Sequence, residues 1–151
     1  MRVLFVDVDG PLIPSGMYLI HKNASYDRHF SPISIAVLKH ALKESGAKLV
    51  MNTTHNLDGH KLKEDMIKAG FKEEDFAKPW CTNYPSTRGR TNAITEWLNE
   101  QVDKDIEWIA VDDEDFTSED RLILIDFDEG LHLRHFNRLA KLWNLKSMLI
   151  L

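Results

Sequence analysis

The sequence predicts an α/β domain built on a mainly parallel sheet. Two observations lead to this prediction. Short apolar runs typical of buried strands alternate along the chain with longer segments in which apolar residues recur at helical spacing. The first of these runs, Val3–Val6, also leads directly into an Asp-Val-Asp-Gly-Pro segment, and functional residues of parallel sheets follow the carboxyl ends of the strands. At 151 residues the chain fits one domain, residues 1–151.

Each element has its own local signal. The first strand is predicted over Arg2–Val8, and a loop with prolines and a glycine follows it to about Phe30. Ser31 and Pro32 are typical of a helix N-cap and first turn, and Gly46 is typical of the end of that helix. The later segments are predicted as a strand, a helix, an irregular stretch, a helix, two strands and a last helix: Ala47–Met51, Asp58–Ala69, Lys72–Arg90, Thr91–Val102, Trp108–Val111, Leu122–Ile125 and His132–Trp143.

Composition and charge narrow the class of protein. Hydrophobic residues make up 43% and charged residues 28%, which is an ordinary globular balance. The net charge of −5 argues against a general nucleic-acid coat protein but leaves room for a local basic patch. The single cysteine, Cys81, excludes an internal disulfide and fits a reducing cytoplasm. Since the chain enters a strand at once and no apolar run approaches the roughly 20 residues that span a bilayer, we expect no cleavable signal and no membrane segment. No obligate protein partner is evident from the sequence.

The strongest chemical signal is the pair Asp7 and Asp9. Side chains of a strand alternate between its faces, so two acids two residues apart point the same way, and Gly10 lets the chain turn away from the sheet edge. One such carboxylate can attack or hold a cation while the other handles a proton. The alternative is a strand that ends in a solvated Asp-Gly turn.

Two other predicted strands end in residues whose side chains suit a phosphate or a metal ion. The second strand ends at Thr53 and Thr54, whose hydroxyls suit a phosphate oxygen, although such a pair also occurs in ordinary turns. A later strand ends at Asp112 and Asp113, within an acidic turn. Carboxylates that converge on one sheet edge repel one another unless a cation or a proton is present, and Mg²⁺ prefers such oxygen ligands. The sequence therefore predicts a Mg²⁺ site at this edge.

A phosphate site also needs a fixed positive charge. Arg88 and Arg90 precede an apolar helix and can both reach the edge, and Lys78 is an outside candidate. Arginines that are merely solvated are an equal alternative, because the helix dipole disfavours positive charge at a helix N-terminus.

Taken together, these motifs carry a resemblance to a known family. The Asp-x-Asp-Gly-x-Leu segment resembles the first motif of the haloacid dehalogenase (HAD) superfamily. The ordered set is similar to the small HAD domain of RNA-repair-associated and phage-type proteins over roughly Arg2–Trp143, and the matching pieces are Gly46–Val50, Arg88–Leu98, Asp112-Asp113 and Gly130-Leu131. The chain departs from that group in having Thr53-Thr54-His55-Asn56 in place of a Ser-Ser-Trp-Arg-like run, and in having Pro11 after Asp-Gly.

The resemblance implies a Rossmann-like three-layer sandwich with a minimal cap, and a Mg²⁺-dependent phosphatase that works through an aspartyl-phosphate. It makes Asp7 the nucleophile and Asp9 the general acid and base. Its metal ligands are the Asp7 carboxylate, the Asp9 main-chain carbonyl and Asp113, while Asp112 orients a basic residue or a metal-bound water. Thr53, or else Thr54, and one of the cations Arg88, Arg90 and Lys78 bind phosphate. A phosphotransferase and a catalytically idle binding module are the alternatives.

The loop before the first helix bears on the substrate. It combines aromatic and basic side chains that can stack on a base and contact phosphate: Tyr18, His21, Lys22, Tyr26, Arg28, His29 and Phe30. The simpler interpretation, slightly preferred, is that these aromatics close the core. An open site favours a nucleotide or a polynucleotide end over other phosphorylated small molecules.

Overall fold

The computed structural model describes residues 1–148. Five parallel strands form one sheet in the order β3-β2-β1-β4-β5. The strands and main helices, in chain order, are β1 (Arg2–Val6), α1 (Pro32–Ser45), β2 (Lys48–Met51), α2 (His60–Lys68), β3 (Phe76–Cys81), α3 (Arg90–Asn99), β4 (Glu107–Asp112), β5 (Leu122–Leu124) and α4 (Leu133–Trp143). Within residues 1–148 no helix is long and apolar enough to cross a membrane.

The central strand β1 is buried on both faces, as expected for the middle of a parallel sheet. Leu4 and Val6 pack in a core with residues of α1, α2 and α4, whereas Val3 and Phe5 pack in a second core with Ile94 and Trp97 of α3. Helices therefore cover both faces of the sheet, and the predicted Rossmann-like three-layer α/β sandwich is confirmed.

The first helix follows its sequence signals closely. The Ser31 hydroxyl accepts a hydrogen bond from the backbone N–H of Ser34 at 3.3 Å, and Pro32 occupies the first turn. Gly46 ends the helix with φ 71°, a left-handed conformation that favours glycine. These local caps fix where α1 begins and ends, so it delivers the chain to β2 as predicted.

The prediction of an irregular segment over Lys72–Arg90 is wrong, because this stretch contains β3. Pro79 lies inside the strand, where it removes a main-chain donor, and a proline within an apolar run argues against a central strand. Edge strands tolerate proline, and β3 is the edge strand next to β2. Several predicted bounds are also too long, since β1 ends at Val6 and α3 ends at Asn99.

The loop between β1 and α1 is anchored by Met17 and Ala24, which are both buried. The interpretation that its aromatics close the core is wrong for two of them, because Tyr18 is 43% exposed and Tyr26 is 87% exposed. Among Tyr18, Tyr26 and Phe30, only Phe30 packs against the core. The only helix within this loop is a short 3-10 helix, Ser15–Leu19, so the cap over the sheet edge is minimal.

Candidate active site

The carboxyl ends of β1, β2 and β4 bring the predicted site residues to one edge of the sheet. Because β1 pairs with both β2 and β4, the residues that follow these three strands are neighbours. Asp7, Asp112 and Asp113 each offer a carboxylate oxygen, and these oxygens lie within 4.8 Å of one another. We call these three residues the acidic cluster. Thr53, at the end of β2, is fully buried beside it.

Asp7 is only 3% exposed and is held from several sides. Its Oδ1 accepts a hydrogen bond from the backbone N–H of Val8 at 2.8 Å, its carboxylate accepts another from the Thr53 hydroxyl, and its Oδ2 lies 3.4 Å from Arg90 Nη2. Burial raises the pKa of Asp7 to about 6, although Arg90 and these hydrogen bonds act to lower it. The structure thus holds a carboxylate that ionises near neutral pH and is almost inaccessible to solvent.

Arg90 is the cation of this site. Its Nη1 lies 3.2 Å from Asp112 Oδ2 and donates to the Asn52 carbonyl at 2.8 Å, while its Nε lies 2.7 Å from Glu114 Oε2. The guanidinium carbon lies 4.5 Å from the centroid of the Tyr84 ring. Carboxylates therefore offset the unfavourable position of this charge at the start of α3.

The structure separates Arg90 from the other candidate cations. Arg88 is exposed and makes no ion pair with any residue in the range 1–148, and Lys78 is exposed on β3. Arg90 is therefore paired with carboxylates at the sheet edge, whereas Arg88 lies in solvent. The two threonines differ in the same way, since Thr53 is buried against Asp7 whereas Thr54 is exposed.

Gly10 allows the close packing of the acidic cluster. Its φ of +100° favours glycine, and a Cβ at this position would lie 2.8 Å from Asp113 Cγ. Any larger residue would displace the Asp113 carboxylate. Its neighbour Asp112 is 1% exposed, and burial, followed by the charge of Asp7, raises the pKa of Asp112 to about 8.

The acidic cluster has the chemistry of a Mg²⁺ site. Mg²⁺ binds oxygen donors, usually through one or two carboxylates, and Asp113 is a carboxylate of the cluster with no ion pair in residues 1–148. Arg90 lies 3.2 Å from Asp112 and 3.4 Å from Asp7, so Asp113 is the member of the cluster whose carboxylate is not engaged by a cation among the described residues. The cluster does not include the Asp9 side chain. The ligand that the HAD resemblance implies for this residue is its main-chain carbonyl.

The surroundings of Asp9 are a feature that sequence reasoning missed. Its Oδ1 accepts a hydrogen bond from the Ser25 hydroxyl at 2.6 Å, and its Oδ2 lies 3.0 Å from His55 Nε2. The Ser25 hydroxyl also lies 3.2 Å from the same imidazole nitrogen. Burial acts to raise the pKa of Asp9, but the His55 and Ser25 contacts outweigh it and lower the pKa below its usual value. His55 stands where the similar group has tryptophan, which is the one signal that pointed to it.

Fold and site together define a HAD-like domain: Asp-x-Asp-Gly after the central strand, a hydroxyl after β2 and an acidic pair after β4, on one edge of a parallel sheet. The family model for the HAD domain in Swiss Army Knife RNA repair proteins matches residues 3–136, from β1 into α4. The chain belongs to this family. No curated protein and no solved structure gives a significant match.

A first prediction concerns the metal. Mg²⁺ should raise the melting temperature of the protein, because a ligand that binds only the folded state stabilises it, by about 2.7 kcal/mol at a hundred times its Kd. Asp113→Ala should reduce this shift more than Asp112→Ala, since Asp112 is already paired with Arg90. Asp115→Ala, which removes an exposed acid of the same turn, is the control. Equal Mg²⁺ shifts in the wild type and Asp113→Ala would assign the ligand elsewhere.

A second prediction concerns pH in the absence of metal. The folded-state pKa values of Asp7 and Asp112 are raised to about 6 and about 8. Protonation of these two side chains therefore favours the folded state, and the stability that it provides below about pH 4 is lost as the pH rises through these values. Asp112→Asn removes the ionisable group that has the higher of these two pKa values. In a chelator, the melting temperature of Asp112→Asn relative to the wild type should therefore increase from pH 7 to pH 9. A difference that stays constant over this range would contradict the raised pKa of Asp112.

Proposed function

We propose that this protein is a Mg²⁺-dependent phosphohydrolase that cleaves phosphate monoesters through an aspartyl-phosphate on Asp7. The observation that carries the proposal is the contrast between two carboxylates two residues apart. Asp7 is buried against Arg90 within the acidic cluster, whereas Asp9 is half-buried and bonded to Ser25 and His55. Different surroundings give paired acids different roles, and this mechanism requires one acid to be the nucleophile and the other to be the general acid and base.

The reaction follows from these placements. A carboxylate oxygen of Asp7 attacks phosphorus, the bond to the leaving oxygen breaks, and Asp9 gives that oxygen its proton. Asp9, now ionised, takes a proton from a water that attacks the aspartyl-phosphate, which releases phosphate and restores Asp7. The lowered pKa of Asp9 keeps its carboxylate ionised, as the step that takes a proton from water requires, and the negative charge of a bound phosphate acts to raise that pKa for the step in which Asp9 gives a proton.

Other residues at the same sheet edge would offset the negative charge of the phosphoryl group. Arg90 supplies positive charge beside Asp7, and the Thr53 hydroxyl lies next to the attacking carboxylate. Asp7, Asp113 and the Asp9 main-chain carbonyl would hold the metal. Bound Mg²⁺ would neutralise phosphate charge and orient the phosphoryl group for attack.

The proposed substrates are nucleotides or polynucleotide ends. The description of the family as one of RNA repair proteins supports this choice, as do the exposed rings of Tyr18 and Tyr26 beside the site. The minimal cap leaves room for such a substrate. We further propose that this chain forms one HAD-like domain without an obligate protein partner. We also propose that the protein works in the cytoplasm, in keeping with the free thiol of Cys81.

The test is a phosphatase screen with Mg²⁺ on p-nitrophenyl phosphate, nucleoside monophosphates, 3′- and 5′-phosphorylated oligonucleotides and sugar phosphates. We expect Mg²⁺-dependent release of inorganic phosphate, fastest from nucleotide or polynucleotide substrates and lost in a chelator. Phosphate recovered on an added alcohol in preference to water would indicate a phosphotransferase. No turnover of any substrate by folded, Mg²⁺-loaded protein would contradict the proposal.

A further inference from the structure

A cavity of about 830 Å³ lies beside the proposed active site. Its inner wall includes Asp9, Ser25 and His55, and its outer wall is formed by the loop before α1 and by the first part of α2 with the turn that precedes it. Asp7 does not line it. A cavity that meets the proton donor but not the nucleophile is placed to receive the leaving group of a phosphate ester, because the donor must face the leaving oxygen.

The charges of this cavity argue against an anionic leaving group. Three cationic side chains face four acidic ones in its wall, namely Lys22, Arg28 and Lys61 against Asp9, Asp27, Asp58 and Asp65. Two of the cations are already paired within the wall. The buried guanidinium of Arg28 forms ion pairs with Asp58 and, at 3.5 Å, with Asp65, and Lys61 Nζ lies 2.9 Å from Asp65. With Asp9 protonated, as its role as the acid requires, the wall carries three formal charges of each sign, so it offers no net positive charge to a second phosphate.

The same wall presents flat apolar surface. Tyr18 and Tyr26 line the cavity and are 43% and 87% exposed, and the neighbouring Leu57 is 73% exposed. Aromatic rings left in water beside a substrate cavity suit the face of a nucleobase, since stacking tolerates any base and does not require a charged partner.

We infer that this cavity is a leaving-group subsite for an uncharged, base-bearing alcohol, so that the preferred substrates are nucleoside monophosphates. The subsite discriminates against leaving groups that carry a further phosphate, including the ends of polynucleotides. This inference rests on the proposed phosphatase function and narrows it. It identifies Asp27 and the two tyrosines as residues that determine specificity.

The first test compares kcat/KM for nucleoside 5′- and 3′-monophosphates with kcat/KM for the 3′,5′-bisphosphate. The wild type should favour the better monophosphate by roughly tenfold at low salt, and salt should reduce this preference. Asp27→Lys makes the net charge of the cavity wall more positive by two units, and it should raise kcat/KM for the bisphosphate without raising it for the monophosphates. Asp27 is exposed, so the variant should fold. Asp105→Lys makes the same change at an exposed acid outside the cavity and should leave the preference as it is.

The second test addresses stacking, through the ratio of kcat/KM for a nucleoside 5′-monophosphate to that for ribose 5-phosphate. Tyr18→Ala and Tyr26→Ala should each lower this ratio by roughly tenfold, the size of one stacking contact. Val102→Ala is the control, because Val102 is 98% exposed and lies outside the cavity.

The outcomes separate the two proposals. Turnover of p-nitrophenyl phosphate that requires Asp7, with equal kcat/KM for monophosphate and bisphosphate, would overturn the subsite and leave the phosphatase standing. An unchanged nucleotide-to-sugar ratio in both tyrosine variants would also overturn the subsite. Wild-type protein that turns over neither p-nitrophenyl phosphate nor any nucleotide would overturn both proposals.

Discussion

Asp7→Asn is expected to abolish turnover while the protein keeps its fold. The amide has nearly the same shape as the carboxylate, and its oxygen can still accept the hydrogen bond from the Val8 N–H. It cannot form an acyl phosphate by attack on phosphorus, so a loss of at least about a thousandfold in kcat is expected for a covalent nucleophile. Replacing a buried carboxylate whose pKa is raised to about 6 also removes a repulsion within the acidic cluster. The metal-free melting temperature should therefore not fall at pH 8.

The matched control for this variant is Asp9→Asn, which changes the neighbouring acid in the same way. It should slow protonation of the leaving group and hydrolysis of the intermediate, with the larger effect on substrates that have poor leaving groups. Initial rates and thermal melts of both variants check the pair of expectations. Near-native turnover by purified Asp7→Asn protein would show that Asp7 is not the nucleophile.

Arg90→Met is expected to have the largest effect on stability. The Arg90 side chain is 10% exposed and contacts three acids, of which Asp7 and Asp112 are almost fully buried. Removing one partner of a buried ion pair leaves charge without compensation and typically costs about 3–5 kcal/mol in the free energy of unfolding. We expect a loss of this order in metal-free protein at pH 8, and a smaller one with Mg²⁺. Urea unfolding with and without Mg²⁺ measures both values.

The control is Arg88→Met, two residues away and exposed, which should change the free energy of unfolding by less than about 0.5 kcal/mol. Arg90→Lys should recover part of the stability, because it keeps the charge but loses the fork of donors that spans several acids. If Arg90→Met were as stable as Arg88→Met in a chelator at pH 8, Arg90 would not be the cation that compensates the acidic cluster.

The sequence alone was enough to predict which residues meet at the central part of the sheet edge. The alternation of side chains along β1 and the position of acids or hydroxyls after three apolar strands required only local patterns and the rule that parallel strands end at one edge. The same holds for α1, where Ser31 and Gly46 act within a few residues of themselves. The family match over residues 3–136 agrees with the resemblance that these motifs carry.

Other features depend on contacts that no local pattern encodes. The choice among Arg88, Arg90 and Lys78 required knowing which side chain reaches the acids, and Ser25 and His55 meet Asp9 from segments distant in sequence. The edge strand β3 was missed because Pro79 lies within it, and only its place in the sheet makes that proline acceptable.

The proposed mechanism requires the phosphoryl group to pass through Asp7, and this intermediate can be trapped. Asp9→Asn protein should be mixed with Mg²⁺ and p-nitrophenyl phosphate, whose leaving group departs without a proton donor, then quenched in acid and reduced with borohydride. Reduction converts an aspartyl-phosphate to homoserine, which peptide mass spectrometry can place in the chain. We predict homoserine at position 7 and nowhere else. Turnover of the substrate with Asp7 unmodified, or with the modification on another acid, would contradict the account.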